Sequence, residues 1–148
     1  MKEIFQFVGS VKALESWFHS AHHLSSGSSF VGDHEILYNR LYDFFNKYFD
    51  KIVEKLIVLT GNEEIACPIV ISNYSGNILS QIPTTANKKE YEISEISLSI
   101  IINHLHEIES IYDTFEKYEI MTKGMDDLLG STYNELETFV YFLQRKLK

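Results

Sequence analysis

Four of the six histidines in this chain, His19, His22, His23 and His34, fall within 16 residues. His19, His22 and His23 stand at i, i+3 and i+4, so one helix face carries all three, which is how a helix offers imidazoles to a metal ion. Further along, Asp50 and Glu54 are one turn apart and flanked by apolar Phe49, Ile52 and Val53. A carboxylate pair beside a hydrophobic seam is costly to bury unless it is paired or bound to a cation. Imidazole and carboxylate donors together suit iron, manganese or zinc. The plainer alternative for any one of these histidines is a solvated residue at a helix end, and the clustering of four weighs against it. Elsewhere the chemistry is sparser. His104 and His106 point to different faces of a later helix, so only His104 with Glu107, or His106 with Glu109, could add a ligand in the interior. A Glu-x-x-His motif on two helices, the mark of a di-metal site inside a bundle, is absent. No Walker loop, dinucleotide turn or nucleophile elbow is present.

The elements that must position these residues follow from apolar spacing. Ile4, Phe7, Val8, Val11, Leu14, Phe18 and Ala21 recur at three- and four-residue steps and predict a helix over about 3–25. The run Ser25-Ser26-Gly27-Ser28-Ser29 cannot sustain it. Asp33 reads as a cap or first-turn residue of a second helix, about 33–60, whose face runs from Leu37 to Leu59 and stops at Gly61. Residues 61–90 gather both prolines and many polar residues, a crossover with a short apolar element around Ile69, Val70 and Ile71. A third helix is predicted over about 91–121 and interrupted by Gly124. Asp126 and Asp127 open a fourth, about 125–147, whose basic end at Arg145, Lys146 and Lys148 complements the helix dipole. Four long helices with a long connection between the second and third predict an all-α, ferritin-like four-helix bundle in a single domain over 1–148.

Composition narrows the function. With 13 Lys and Arg against 21 Asp and Glu, the formal charge of −8 argues against binding nucleic acid and suits metal cations. The basic residues at the end of the chain are too few to reverse that, and the first predicted helix begins almost at Met1, leaving no basic arm. A 45% hydrophobic and 14% aromatic content predicts a folded domain. The lone Cys67 excludes an internal disulfide and fits a reduced, cytoplasmic setting. No leader-like or membrane-spanning run is read in the sequence.

The stretch His22, Gly27, Phe30 and His34, followed by Tyr42, Asp50 and Glu54, resembles the Dps-type mini-ferritins, the miniature ferritin cages of the bacterial starvation response. That family has a helix-borne histidine, a turn with glycine and phenylalanine, a second histidine twelve residues after the first, then Asp-x-x-x-Glu. His22 to His34 is twelve residues and Asp50 to Glu54 is four. Gly124-Met125-Asp126-Asp127 and the segment Phe139 to Leu147 are similar to the family's closing helix, and residues 62–90 are placed like its short extra helix. The resemblance implies a hollow dodecamer with iron sites shared between two subunits across two-fold axes. His22 and His34 come from one subunit in that picture, Asp50 and Glu54 from its mate. It implies that ferrous iron is oxidised by peroxide or dioxygen and stored as a ferric mineral, protecting against oxidative stress. Asp126 and Asp127 resemble the acidic residues of the three-fold pores, and read equally as favourable carboxylates of a helix first turn.

Two departures from the family pattern bear on the site. Where the family has an aspartate one turn after the second histidine, this chain has Tyr38, a poor ligand for ferrous iron. The missing ligand leaves a second reading open, a cage or interaction protein without oxidation chemistry. The other departure is that His34 to Asp50 is sixteen residues where the family has fifteen, a rotation of about 100° on a regular helix. A π-bulge between Asp33 and Tyr42 would absorb the extra residue. Alternatively the register shifts by one, so that His23, Glu35 and Asn39 take the places of His22, His34 and Tyr38. Gly27 and Phe30 favour His22 and His34, with Glu35 the strongest substitute ligand.

Overall fold

The apolar periods fold into a chain made only of helices and their connections. The computed structural model describes residues 1–148, with α-helices Lys2–Leu24 (α1), Asn39–Thr60 (α2), Pro68–Leu79 (α3), Glu90–Lys117 (α4) and Lys123–Leu147 (α5). A π-helical segment, Gly32–Tyr38, leads without a break into α2. A 3-10 turn, Glu63–Ala66, links α2 to α3. The π segment overlaps the interval between Asp33 and Tyr42, where a π-bulge is one of the two expectations from sequence. No helix is long and apolar enough to cross a membrane.

Cross-helix contacts give the direction of each long helix. Phe7 packs on Tyr48 and His19 on Tyr42, so α1 and α2 are antiparallel. Met1 bonds Tyr118 and Ser10 bonds Glu107, so α1 and α4 are antiparallel too. Arg40 faces Glu135 while Gly124 lies beside Lys55, which makes α5 antiparallel to α2. Consequently α2 and α4 point the same way, and the chain must travel the length of the body between them. It does so along α1. Tyr74 stacks on Phe5, the Pro83 carbonyl accepts from Trp17 Nε1 at 2.9 Å, and Thr85 reaches Ser20. Pro68 sits at the first position of α3, where its missing N–H costs nothing.

The predicted faces of α1, α2, α4 and α5 meet in one core, which also takes in Ile65 and Ile120. Boundaries differ where the C-terminal half turns. α4 ends at Lys117, about four residues before the expected end. Glu119 adopts φ +59°, Ile120 N–H reaches the Phe115 carbonyl, and Glu119 N–H reaches that of Glu116. This is a Schellman closure without glycine, stabilised by buried Phe115 and Ile120. Gly124 therefore does not break the helix. It lies in the first turn of α5, which opens at Lys123, ahead of Asp126 and Asp127, with the Thr122 hydroxyl accepting from Met125 N–H.

α3 approaches α1 at Gly9, where an added Cβ would stand 2.5 Å from Tyr74 Cβ and 3.1 Å from its carbonyl carbon. Gly9→Ala is therefore expected to cost about 1–3 kcal/mol by overpacking. Hydrogen exchange should show protection lost first across residues 68–79, and unchanged exchange there would refute the assignment. Gly130→Ala, where an added Cβ meets nothing, is expected to stabilise by up to about 1 kcal/mol.

Candidate functional site

The histidine cluster sits where α1 ends and the π segment begins. α1 stops because Ser25 turns to extended backbone, and the chain reverses at Gly27, whose φ of +91° suits glycine. A Cβ at Gly27 would also collide with the carboxylate of Glu90, which accepts from Ser29 Oγ at 2.9 Å. Those bonds from Ser29 hold the Glu90 carboxyl below the usual glutamate range. Behind the turn, buried Asp33 takes the weaker share, at 3.3 Å, of the same Ser29 hydroxyl hydrogen and pairs with Lys146 Nζ at 3.2 Å. Asp33 is thus an anchor more than a cap. Lys146, predicted only to complement the α5 dipole, ties the end of α5 to the π segment.

With the reversal held in this way, His22 and His34 face each other. Their rings stack with centroids 3.8 Å apart. His22 Nδ1 bonds the His34 carbonyl at 2.9 Å, and His34 Nδ1 bonds the His22 carbonyl at 2.7 Å. A carbonyl only accepts, so both Nδ1 atoms must carry hydrogen. In the neutral rings each Nε2 then keeps its lone pair, which is the tautomer a metal-ligating histidine needs. Glu35 Oε1 lies 3.3 Å from His34 Nε2, an ion pair when that nitrogen carries hydrogen and a neighbouring oxygen ligand when a cation replaces the proton. Phe30 flanks His34 with ring centroids 5.2 Å apart.

The remaining predicted residues fall as follows. His23 is exposed and Asn39 is exposed, so the pair brought together is that of the unshifted register. Asp50 and Glu54 are exposed on α2, sixteen and twenty residues beyond His34. At 1.5 Å per residue Asp50 is roughly 24 Å along the helix from His34. Within one chain no three His, Cys, Asp or Glu side chains converge as a metal-holding group. Glu54 instead lines an open groove between α2 and α5 with Lys51, Lys55 and Asp127. Asp126 accepts from Tyr112 OH at 2.8 Å. Tyr38 is 1% exposed and reaches Ser94 Oγ at 2.9 Å in the interior, its hydroxyl pushed up to about 12 by burial. It offers the histidine pair no ligand.

His19 and His23 complete a row of rings. His19 stacks flat on Tyr42, 4.0 Å between centroids, and lies 4.4 Å from His23. Burial, then the neighbouring His23 and His22, hold His19 below the usual histidine value. In the interior, His104 is 1% exposed and bonds Glu107 Oε2 at 2.7 Å, and Ser10 Oγ donates to the same oxygen. His104 Nε2 and Tyr48 OH have no hydrogen-bond partner. His106 is exposed. The anchoring residues Ser29, Asp33, Glu90 and Lys146 carry no local motif. Their only signal in the sequence is an acid, Asp33, placed inside a turn bordered by Phe30 and Leu37.

Removing one partner of a buried pair leaves the other charge uncompensated. Asp33 is buried and Lys146 half-buried, so Lys146→Met is expected to cost about 1–3 kcal/mol and to broaden the His34 ring signals in NMR, whereas exposed Lys148→Met should do neither. Burial alone would raise the Glu107 carboxyl, but the hydrogen bond and charge of His104, then Ser10, hold it below its usual value. A carboxylate depressed in the folded state contributes stability above its unfolded pKa and loses it as pH falls through the folded one. Glu107→Gln should therefore flatten the acid limb of the Tm–pH curve, and an unchanged slope in acid would remove Glu107 from that role. Neither comparison with protein-family models nor comparison with curated proteins finds a match to this chain.

Proposed function

We propose that this chain is a Dps-like mini-ferritin that binds ferrous iron as substrate, oxidises it with peroxide or dioxygen, and stores the ferric product inside a homo-oligomeric cage, which the resemblance makes a dodecamer. The observation that carries this reading is the reciprocal bonding of His22 and His34, which engages both Nδ1 atoms with backbone and leaves each Nε2 without a backbone bond. Further support comes from the parallel run of α2 and α4 joined through α3, the connection expected of a ferritin-like bundle.

Asp50 and Glu54 are too far along α2 to reach the pair in their own chain, so the reading takes them from a second copy. Exposed Leu24, Phe30, Val31 and Ile36 occupy the same corner as the histidines, an apolar surface suited to self-association. His22 and His34 of one subunit would then meet Asp50 and Glu54 of the partner subunit, with Glu35 beside His34 as a further oxygen donor. Glu54 is the bridging candidate, because a carboxylate can span two ions and an imidazole nitrogen cannot. Two ferrous ions supply one electron each, and with two protons these reduce one hydrogen peroxide to two waters.

One observation favours a second reading, a ferritin-like cage or interaction protein without oxidation chemistry. The position of the family's aspartate is filled by Tyr38, which is turned into the core. A single assay separates the two. Ferrous iron is added anaerobically, then peroxide, and the ultraviolet absorbance of the ferric product is followed. The ferroxidase reading expects oxidation well above buffer, cut on the order of tenfold or more by His34→Ala and by Glu54→Gln. A rate equal to buffer, indifferent to both substitutions, leaves the second reading.

A further inference from the structure

The His22 and His34 pair uses only part of the imidazole cluster, and the remainder has its own geometry. We infer that His19 and His23 form a second chelating pair, separate from His22 and His34, for a divalent transition ion of the zinc and copper class. The two stand at i and i+4 on the last turns of α1, the spacing at which a helix stacks two side chains one above the other. Their centroids are 4.4 Å apart, so small rotations about the side-chain torsions bring one nitrogen of each onto a shared ion.

Three features distinguish this pair from an incidental contact between polar residues. Neither ring makes a hydrogen bond to the protein, whereas His22, His34 and His104 are each tied through Nδ1. All four ring nitrogens of His19 and His23 are thus free to ligate. His19 is also held in a fixed plane, since the Tyr42 ring of α2 lies flat against it, 4.0 Å between centroids and 12° between planes. Half the pair is therefore preorganised while exposed His23 supplies the adjustment. Nearby carboxylates do not compete for the role. Glu15, one turn before His19, is buried and engaged by Lys12 at 3.0 Å.

The donor set decides the ligand. Two neutral imidazoles with water completing the sphere favour ions high in the divalent series, copper and zinc, over ferrous iron, and exclude magnesium and calcium, which require oxygen. His22 is tied through Nδ1 to the His34 carbonyl, which commits its ring to the first pair, whereas His19 and His23 carry no such tie.

The test is made with His22 and His34 both removed, so that it does not depend on whether the first pair takes iron. Full-length His22→Ala/His34→Ala protein is titrated with Zn2+ by calorimetry, and its Cu2+ complex is examined by EPR. The expected result is zinc binding that weakens on the order of tenfold or more when His23→Gln is added, and nitrogen superhyperfine structure on the copper signal that falls from two nitrogens to one. His23 is exposed, so this substitution leaves the core intact, and circular dichroism checks that it does. Absence of zinc binding in the double variant, or binding and superhyperfine structure unchanged by His23→Gln, overturns the pair.

Discussion

Residues 32–38 have to satisfy two registers at once. Leu37 and Tyr38 belong to the core with Leu41 and Phe45, yet His34, a few residues earlier, has to face outward across the turn to His22. On a regular α-helix each residue advances about 100°, and one residue too many would carry His34 away from its partner. The π segment takes up that residue, and the N–H of Asn39 reaches back five positions to the His34 carbonyl. The same carbonyl, with its second lone pair, accepts from His22 Nδ1. Opening the helix therefore aligns the imidazole and supplies the acceptor that sets its tautomer. A wide turn has poorer internal packing, and here external ties offset that: Asp33 with Lys146, and Ser29 with Asp33 and Glu90.

This dependence explains why the ends of two helices distant in sequence matter to a site formed by neither. Lys146 lies near the last residue of α5 and Glu90 begins α4, yet both bear on the loop that follows α1. The antiparallel course of α1 against α4 and of α2 against α5 brings these helix ends to one corner. A chain in which α2 led straight into an antiparallel neighbour would have delivered the start of that helix to the opposite end. The crossover along α1, seated by the absence of a side chain at Gly9, thus decides which residues can brace the π segment.

What is legible in the sequence and what is not divides along the range of the interactions. The four amphipathic faces are legible because period is a local property, and the apolar residues named for the first helix are all buried in α1. The π segment is legible only as one of two alternatives that the resemblance suggests, the other being a shift of register by one residue. The end of α4 is not, because its Schellman closure uses Glu119 where glycine is the usual sign. The anchor of the π segment is not legible either. Asp33 and Lys146 are separated by most of the chain, and their pairing depends on helix directions that no local pattern encodes.

The interior shows the same division between elements with a local cause and those without. His104 and Glu107 are neighbours on one turn of α4, so their hydrogen bond needs no tertiary explanation. The burial of His104 does, because its Nε2 and the neighbouring Tyr48 OH are left without partners in a core otherwise packed with apolar groups. An unpaired buried donor or acceptor costs about 1–3 kcal/mol. Sequence pattern conceals that cost, since His104 and Tyr48 each continue the apolar period of their helix. The ring of His104 packs like the aromatic residue it resembles, stacked on Phe7 and set edge-on to Phe45 and Tyr48. The polar contacts of His104 are thus made by Glu107 on α4, itself bonded by Ser10 of α1, while toward α2 the ring is packed by shape with no polar partner. The cluster at the end of α1 is arranged the other way, with shape supplied by stacking and the Nδ1 atoms of His22 and His34 bonded to backbone. The unpartnered nitrogen of His104 is sealed in the core, whereas the imidazoles at the α1 terminus stand where solvent and ions reach them.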